Sequence, residues 1–191
     1  ADILIQLRKG DVLWQKERLL NIALRALPDC CDKVAWLDCD VVFQRPDWVE
    51  RTTDALESIT LVQPYHGAHD LPPDMLPETV GGASGVSSGH ALLYLMASGA
   101  AVDGLVRGNM RLGGRCHAGL AWAARREVFD ADGFYDACVM GSGNRAMICA
   151  ALGRFDDTVA YLQMNPRWRS HYLTWARAHF DRVRDGVGFV E

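Results

Sequence analysis

No apolar run in this 191-residue chain approaches the roughly 20 residues that would span a bilayer. No charged stretch followed by an apolar segment and a small-residue cleavage site opens it either. The expectation is a chain without a transmembrane segment, located in the cytoplasm. A basic excess is missing too. Twenty Lys and Arg stand against 24 Asp and Glu, a net charge of −4 with a pI near 5.9. Proteins that bind nucleic acid or a membrane surface generally carry the opposite balance, because they must meet phosphates. No nucleic-acid partner is expected, and a small molecule or sugar fits better. The six cysteines (Cys30, Cys31, Cys39, Cys116, Cys138 and Cys149) form no C-x-x-C pair of the zinc or redox kind. A chain that is 49% hydrophobic can build a core without a disulfide framework, so buried free thiols are expected. There is no internal repeat, no low-complexity tract and no composition shift that marks a second domain.

What is present is an alternation of two hydrophobic periods. Residues 2–7 read as the interior of a strand. Leu13, Leu20, Leu24 and Leu27 recur at helical spacing, with Asp11 as N-cap and Pro28 just beyond. Residues 34–37 form a short apolar run that stops at two acids and resumes at 41–43, the pattern of a buried strand with a polar tip. A helix over 46–57 and a strand over 59–63 follow. Strand, helix, strand, helix, strand from Ile3 to Gln63 predicts an α/β domain with a mostly parallel sheet flanked by helices. The stretch 64–89, rich in Pro, Gly and Ser, reads as a long loop of the kind that borders functional sites. Beyond it we expect a helix over 90–106, a strand over 119–124, a helical turn over 125–130 and a helix over 144–152. In the last helix Tyr172, Trp175, Ala176, His179, Phe180 and Val183 share one face. The Arg and His residues between 167 and 184 superficially resemble a nucleic-acid surface, but an amphipathic helix accounts for them.

The triplet Asp38-Cys39-Asp40 falls where the strand over 34–37 ends. Ligands of open α/β sheets bind outside the carboxyl ends of strands. Two carboxylates at alternate positions there suit a hard cation, Mn2+ or Mg2+, that a ligand's phosphates and water complete. Asp40 and Asp38 are therefore the candidate metal ligands.

Four segments together resemble the glycosyltransferases of the GT-A fold, in particular the family-2-like group. They are WQKERLLNIAL at 14–24, VAWLDCDVVF at 34–43, HAGLAWAARREVFDADGFYD at 117–136 and GSGNRAMICAALG at 141–153. The resemblance implies a Rossmann-like nucleotide-diphospho-sugar transferase fold. One GT-A-like domain over 1–191, incomplete at both ends, would hold a nucleotide and metal half at 1–63, a loop at 64–89 and an acceptor half at 90–191. It also implies a glycosyltransferase that moves a sugar from a nucleoside-diphosphate sugar to a carbohydrate or other hydroxyl acceptor. Asp38 would face the nucleotide and Asp40 the metal, with Asn21 and Lys16 as further nucleotide contacts. Lys16-Glu17-Arg18 reads equally well as a solvated helix face.

Similar enzymes carry an acid in the segment that matches GSGNRAM, where it deprotonates the acceptor. Here Asn144 stands there, and an amide is no general base. Three readings follow: Asp136 is the base, Asn144 only orients the acceptor, or the chain binds a sugar nucleotide without transferring it. Gly119, Trp122 and Gly143 are the expected acceptor contacts, Trp122 by laying its ring against a sugar's apolar face. Related enzymes supply a further metal-site His after a turn similar to 186–189, and these residues stop at Glu191. A nucleotidyltransferase of the same general plan is the remaining alternative, although the Gly-rich phosphate loop of that class is not seen.

Overall fold

The structure is a computed structural model that describes residues 3–8, 10, 13, 15–82, 86–107 and 116–191. Helix α1 (Lys16–Ala26) begins after Gln15 and ends as Leu27 turns extended ahead of Pro28. The expected N-cap, Asp11, lies outside the described residues, as do Asp2 and Trp14. Strand β1 (Lys33–Leu37) leads through the Asp38 turn to α2 (Trp48–Leu56) and then β2 (Leu61–Gln63). Strand β3 (Gly67–Asp70), a 3-10 turn at Pro77–Gly82 and β4 (Ser87–Ala91) come next, followed by α3 (Leu92–Ala97) and α4 (Val102–Arg107). The remainder is β5 (Cys116–His117), β6 (Ala121–Arg125), a 3-10 turn at Arg126–Phe129, α5 (Gly143–Ala151), α6 (Phe155–Tyr161), α7 (Pro166–Arg182) and β7 (Val187–Phe189).

The fold is α/β with mixed sheets. The larger sheet runs β1-β6-β2-β7, and β6 is antiparallel to both β1 and β2, while β2 and β7 are parallel. Strands β1 and β2 therefore point the same way, with α2 as their crossover, but a reversed strand separates them. This corrects the expectation of a mostly parallel sheet. The local pattern of 34–63 is that of a βαβ unit, and nothing in it announces a strand from much later in the chain. Strand β6 can take the place between them because Ala121, Ala123 and Ala124 are small enough to be buried. Edge strand β1 instead alternates, with Val34 and Trp36 inward and Ala35 and Leu37 exposed.

Other expectations change for equally local reasons. Residues 3–8 form no strand, since no described strand offers them a ladder, and Ile3, Leu4, Ile5 and Leu7 are exposed. Residues 41–43 do not resume β1. A turn closed by the Val41 N–H donating to the Asp38 carbonyl (3.2 Å) carries the chain away instead. The stretch read as a loop contains β3 and β4, which pair as an antiparallel ribbon beside β5. The helix expected over 90–106 is two helices, because His90 and Ala91 close β4 and Gly99 (φ 91°) breaks the path between α3 and α4. In α7 the inward face holds Tyr172, Trp175, Ala176 and His179, with Val183 following, but Phe180 is 45% exposed and packs edge-on against Phe155.

The core lies between the larger sheet and the helices that follow it. Helix α5 is buried along its length, and the Tyr172 hydroxyl donates to the Ala146 carbonyl (2.9 Å), tying α7 to it. Trp36 meets Phe129 and Phe134 edge-on. Cys116, Cys138 and Cys149 are buried as expected, whereas Cys30 and Cys39 are exposed. No helix among the described residues is long and apolar enough to cross a membrane.

Candidate functional site

Asp38 is the first residue past β1. Its backbone N–H donates to the Leu120 carbonyl (2.7 Å), and its carboxylate is paired with the Lys16 ammonium from the first turn of α1. The ladder therefore continues one residue beyond the strand and sets the direction of the turn. Leu120 sits in the left-handed region (φ 68°), where a side chain larger than glycine costs about 1–2 kcal/mol. Strain of this kind persists where the surroundings impose it, and it gathers at functional sites. A buried polar hub lies beside it. Gln63 Nε2 donates to the His117 carbonyl (2.9 Å) and to the Tyr65 hydroxyl (3.0 Å), its Oε1 accepts from the Leu93 N–H (3.0 Å), and Tyr65 donates to the Gly119 carbonyl (2.8 Å). Burial drives the Tyr65 phenol far above its usual range, so the hydroxyl stays a neutral donor. Sequence reasoning missed Gln63 and Tyr65. The signal was a polar residue closing an otherwise apolar strand.

One flank of Asp38 is a closed seam. Residues of α1 reach four different places: Lys16 reaches Asp38, Glu17 lies against Gly143, Arg18 pairs with Asp136 (2.9 Å), and Asn21 clasps Phe134. Asn21 is buried. Its Oδ1 accepts from the Phe134 N–H (2.7 Å) and its Nδ2 donates to the Phe134 carbonyl (3.0 Å). Glu17 is buried where α5 begins, so a carboxylate meets the positive end of a helix. The reading of Lys16-Glu17-Arg18 as a solvated face therefore fails at Glu17, while Arg18 is exposed. Asn144 also belongs to the seam, with its Nδ2 3.0 Å from where a Cβ on Gly119 would be. Trp122 is a correction. It is 1% exposed inside the core with Nε1 donating to the Ala118 carbonyl (3.2 Å), and a ring without an open face cannot receive a sugar. Gly143 is filled by Glu17 and has no room for an acceptor.

The other flank is open. A cleft of about 500 Å³ begins at Asp40 and is bounded by the segments that leave β1, β2 and β7, with Leu120 at its base. The three strands are parallel to one another, so the cleft lies beyond their carboxyl ends, where α/β sheets bind ligands. Phe43 and Trp48 stack on one wall (ring centroids 4.1 Å apart, planes 7° apart), and part of the segment read as a loop, from Pro64 to Leu71, forms another. Asp40 is exposed and makes no ion pair among the described residues. Of the expected site residues only Asp40 lines this cleft; Asp38, Lys16, Asn21, Gly119, Trp122, Asp136, Gly143 and Asn144 do not.

Asp38 and Asp40 lie two residues apart on one turn, the Asp38 carboxylate paired with Lys16 and Asp40 on the cleft. Among the described residues no group of three or more His, Cys, Asp or Glu converges to hold a metal ion. That donor set fits an ion shared with a ligand's phosphates and with water, rather than one the protein encloses alone. An ion bridging both carboxylates would also have to draw Asp38 from Lys16. The chain matches no protein-family model, no curated protein and no solved structure, so its chemistry rests on this geometry.

Proposed function

We propose that the protein recognises a nucleoside-diphosphate sugar at the Asp38–Asp40 turn and transfers the sugar to a hydroxyl acceptor. The observation that carries this reading is the position of the turn, at the carboxyl ends of parallel strands and at the mouth of a cleft large enough for a sugar. Asp40 would hold a Mn2+ or Mg2+ ion, which stabilises charge on a leaving diphosphate as a Lewis acid. Lys16, paired with Asp38 in the free protein, would leave it to meet the diphosphate. The sugar then enters the cleft.

A group that deprotonates the acceptor is less evident. Asn144 has no proton-accepting form and Asp136 is paired with Arg18 on the closed side. His66, His69 and Asp70 line the cleft itself, and His69 is held through Nδ1 by the Ser88 hydroxyl (2.7 Å). Asn144 therefore favours a second reading, recognition of the sugar nucleotide without transfer. Calorimetric titration with a panel of nucleoside diphosphates and Mn2+ tests the first half, and a transfer or hydrolysis assay tests the second. Mn2+-dependent binding that Asp40→Ala abolishes is the expected result; binding undiminished in Asp40→Ala overturns the assignment. Binding without turnover would leave recognition standing and remove transfer.

A further inference from the structure

The cleft carries a chemical preference that the Asp38–Asp40 turn does not account for. Trp48 and Arg51 are three residues apart on α2, so they share a helix face, and both line the cleft. Trp48 stacks face to face on Phe43, an aromatic plate two rings thick that a ligand can meet only on an outer face. Beside that plate Arg51 carries a charged donor, and its Nε is buried with no hydrogen-bond partner among the described residues. A buried guanidinium N–H without a partner is costly in a native fold, and it is a donor that an anionic ligand would satisfy. The other arginine of the cleft differs, for Arg45 is held in two-point contact by Asp47 (3.0 and 2.8 Å). The remaining charged groups on the walls are Asp40, Asp70 and Glu191. They disfavour an anion beside them and leave Arg51, whose charge also acts on Asp47, as the cleft's donor without a two-point carboxylate partner.

We infer that the cleft receives an acceptor saccharide bearing an anionic group, its pyranose ring on an outer face of the Phe43–Trp48 stack and its anion on Arg51. Pyranose C–H faces are apolar and suit an aromatic plate, while a guanidinium binds carboxylate or phosphate through paired N–H donors. The inference rests on the reading that Asp38 and Asp40 hold the donor's diphosphate, which leaves the cleft to the sugar and its acceptor. Carboxylate and phosphate share the recognising chemistry, and the experiment separates them.

Purified protein saturated with Mn2+ and the best-bound nucleoside diphosphate would be titrated with methyl β-glucuronide, glucose 6-phosphate and neutral methyl β-glucoside. At least one of the anionic sugars should bind about tenfold more tightly than the neutral one. Arg51→Gln should erase the preference without changing the melting temperature or nucleotide binding, and Arg51→Lys should restore part of it. Equal binding of all three sugars, binding of none, or a preference that survives Arg51→Gln would overturn the inference. Absence of Mn2+-dependent nucleotide binding in the parent protein would instead strike the donor reading, so the two failures are distinguishable.

Discussion

On the α1 flank of Asp38 the polar groups are closed upon one another: Asn21 on Phe134, Arg18 on Asp136, Glu17 on Gly143. On the cleft flank Asp40 makes no ion pair among the described residues, and Arg51 holds a buried donor without a partner. The same turn thus separates a region that is finished in the free protein from one that a ligand would complete. Residues of the first kind should matter to stability, because their removal leaves buried groups unsatisfied or overpacked. Residues of the second kind should matter to binding and hardly at all to folding.

Substitutions in the seam give the largest effect and the clearest way to break this contrast. A Cβ on Gly143 would stand 2.7 Å from Glu17 Cγ and overlap its buried carboxylate. Gly143→Ala should lower unfolding stability by up to about 3 kcal/mol in denaturant titration. A change near zero would show that the seam yields easily.

Acid should weaken the support of the seam next. Trp175 donates to the Gly133 carbonyl (3.0 Å) and stacks on His179, which is 1% exposed. Burial, with the Arg182 charge adding to it, pushes His179 down from its usual 6.5 to about 4. The unfolded chain therefore takes up this proton first. The contribution is intact above about pH 6.5 and falls away as the pH drops toward 4, by about 3 kcal/mol in all. Comparing the pH dependence of stability with that of His179→Phe isolates the effect, and identical profiles would refute it.

Asn21→Ala removes both hydrogen bonds to Phe134 and leaves those backbone groups buried, so a loss of about 2 kcal/mol is expected, read from the denaturation midpoint. At the other extreme, Asp40→Asn should change stability by less than about 0.5 kcal/mol while removing Mn2+-dependent nucleotide binding. A stability loss as large as that of Asn21→Ala would mean that the cleft flank is structural as well, and the division would fail.

Much of the fold was legible along the chain, and the reason is that it depends on local periods. The apolar spacing of α1, the strand that stops at Asp38, α2, α5 and α7 all appear where those periods place them, within a few residues. The site was legible to the extent that a strand end and two acids coincide there. What could not be read is partnership across long separations. Glu17 has the look of a solvated residue until Gly143 arrives to cover it, Trp122 resembles a platform until β6 is inserted between β1 and β2, and Gln63 is an unremarked strand end until His117, Tyr65 and Leu93 converge on it.

The sequence by itself determined the α/β class, most of the helices and the placement of Asp38 and Asp40 at a strand terminus, since each follows from hydrophobic period and from residue chemistry. Only the tertiary structure decided the reversal of β6, the closure of the α1 flank and the opening of the cleft beside Trp48 and Arg51. Period fixes the face that a residue presents, but burial fixes what that face meets, and burial is settled only when distant segments pack.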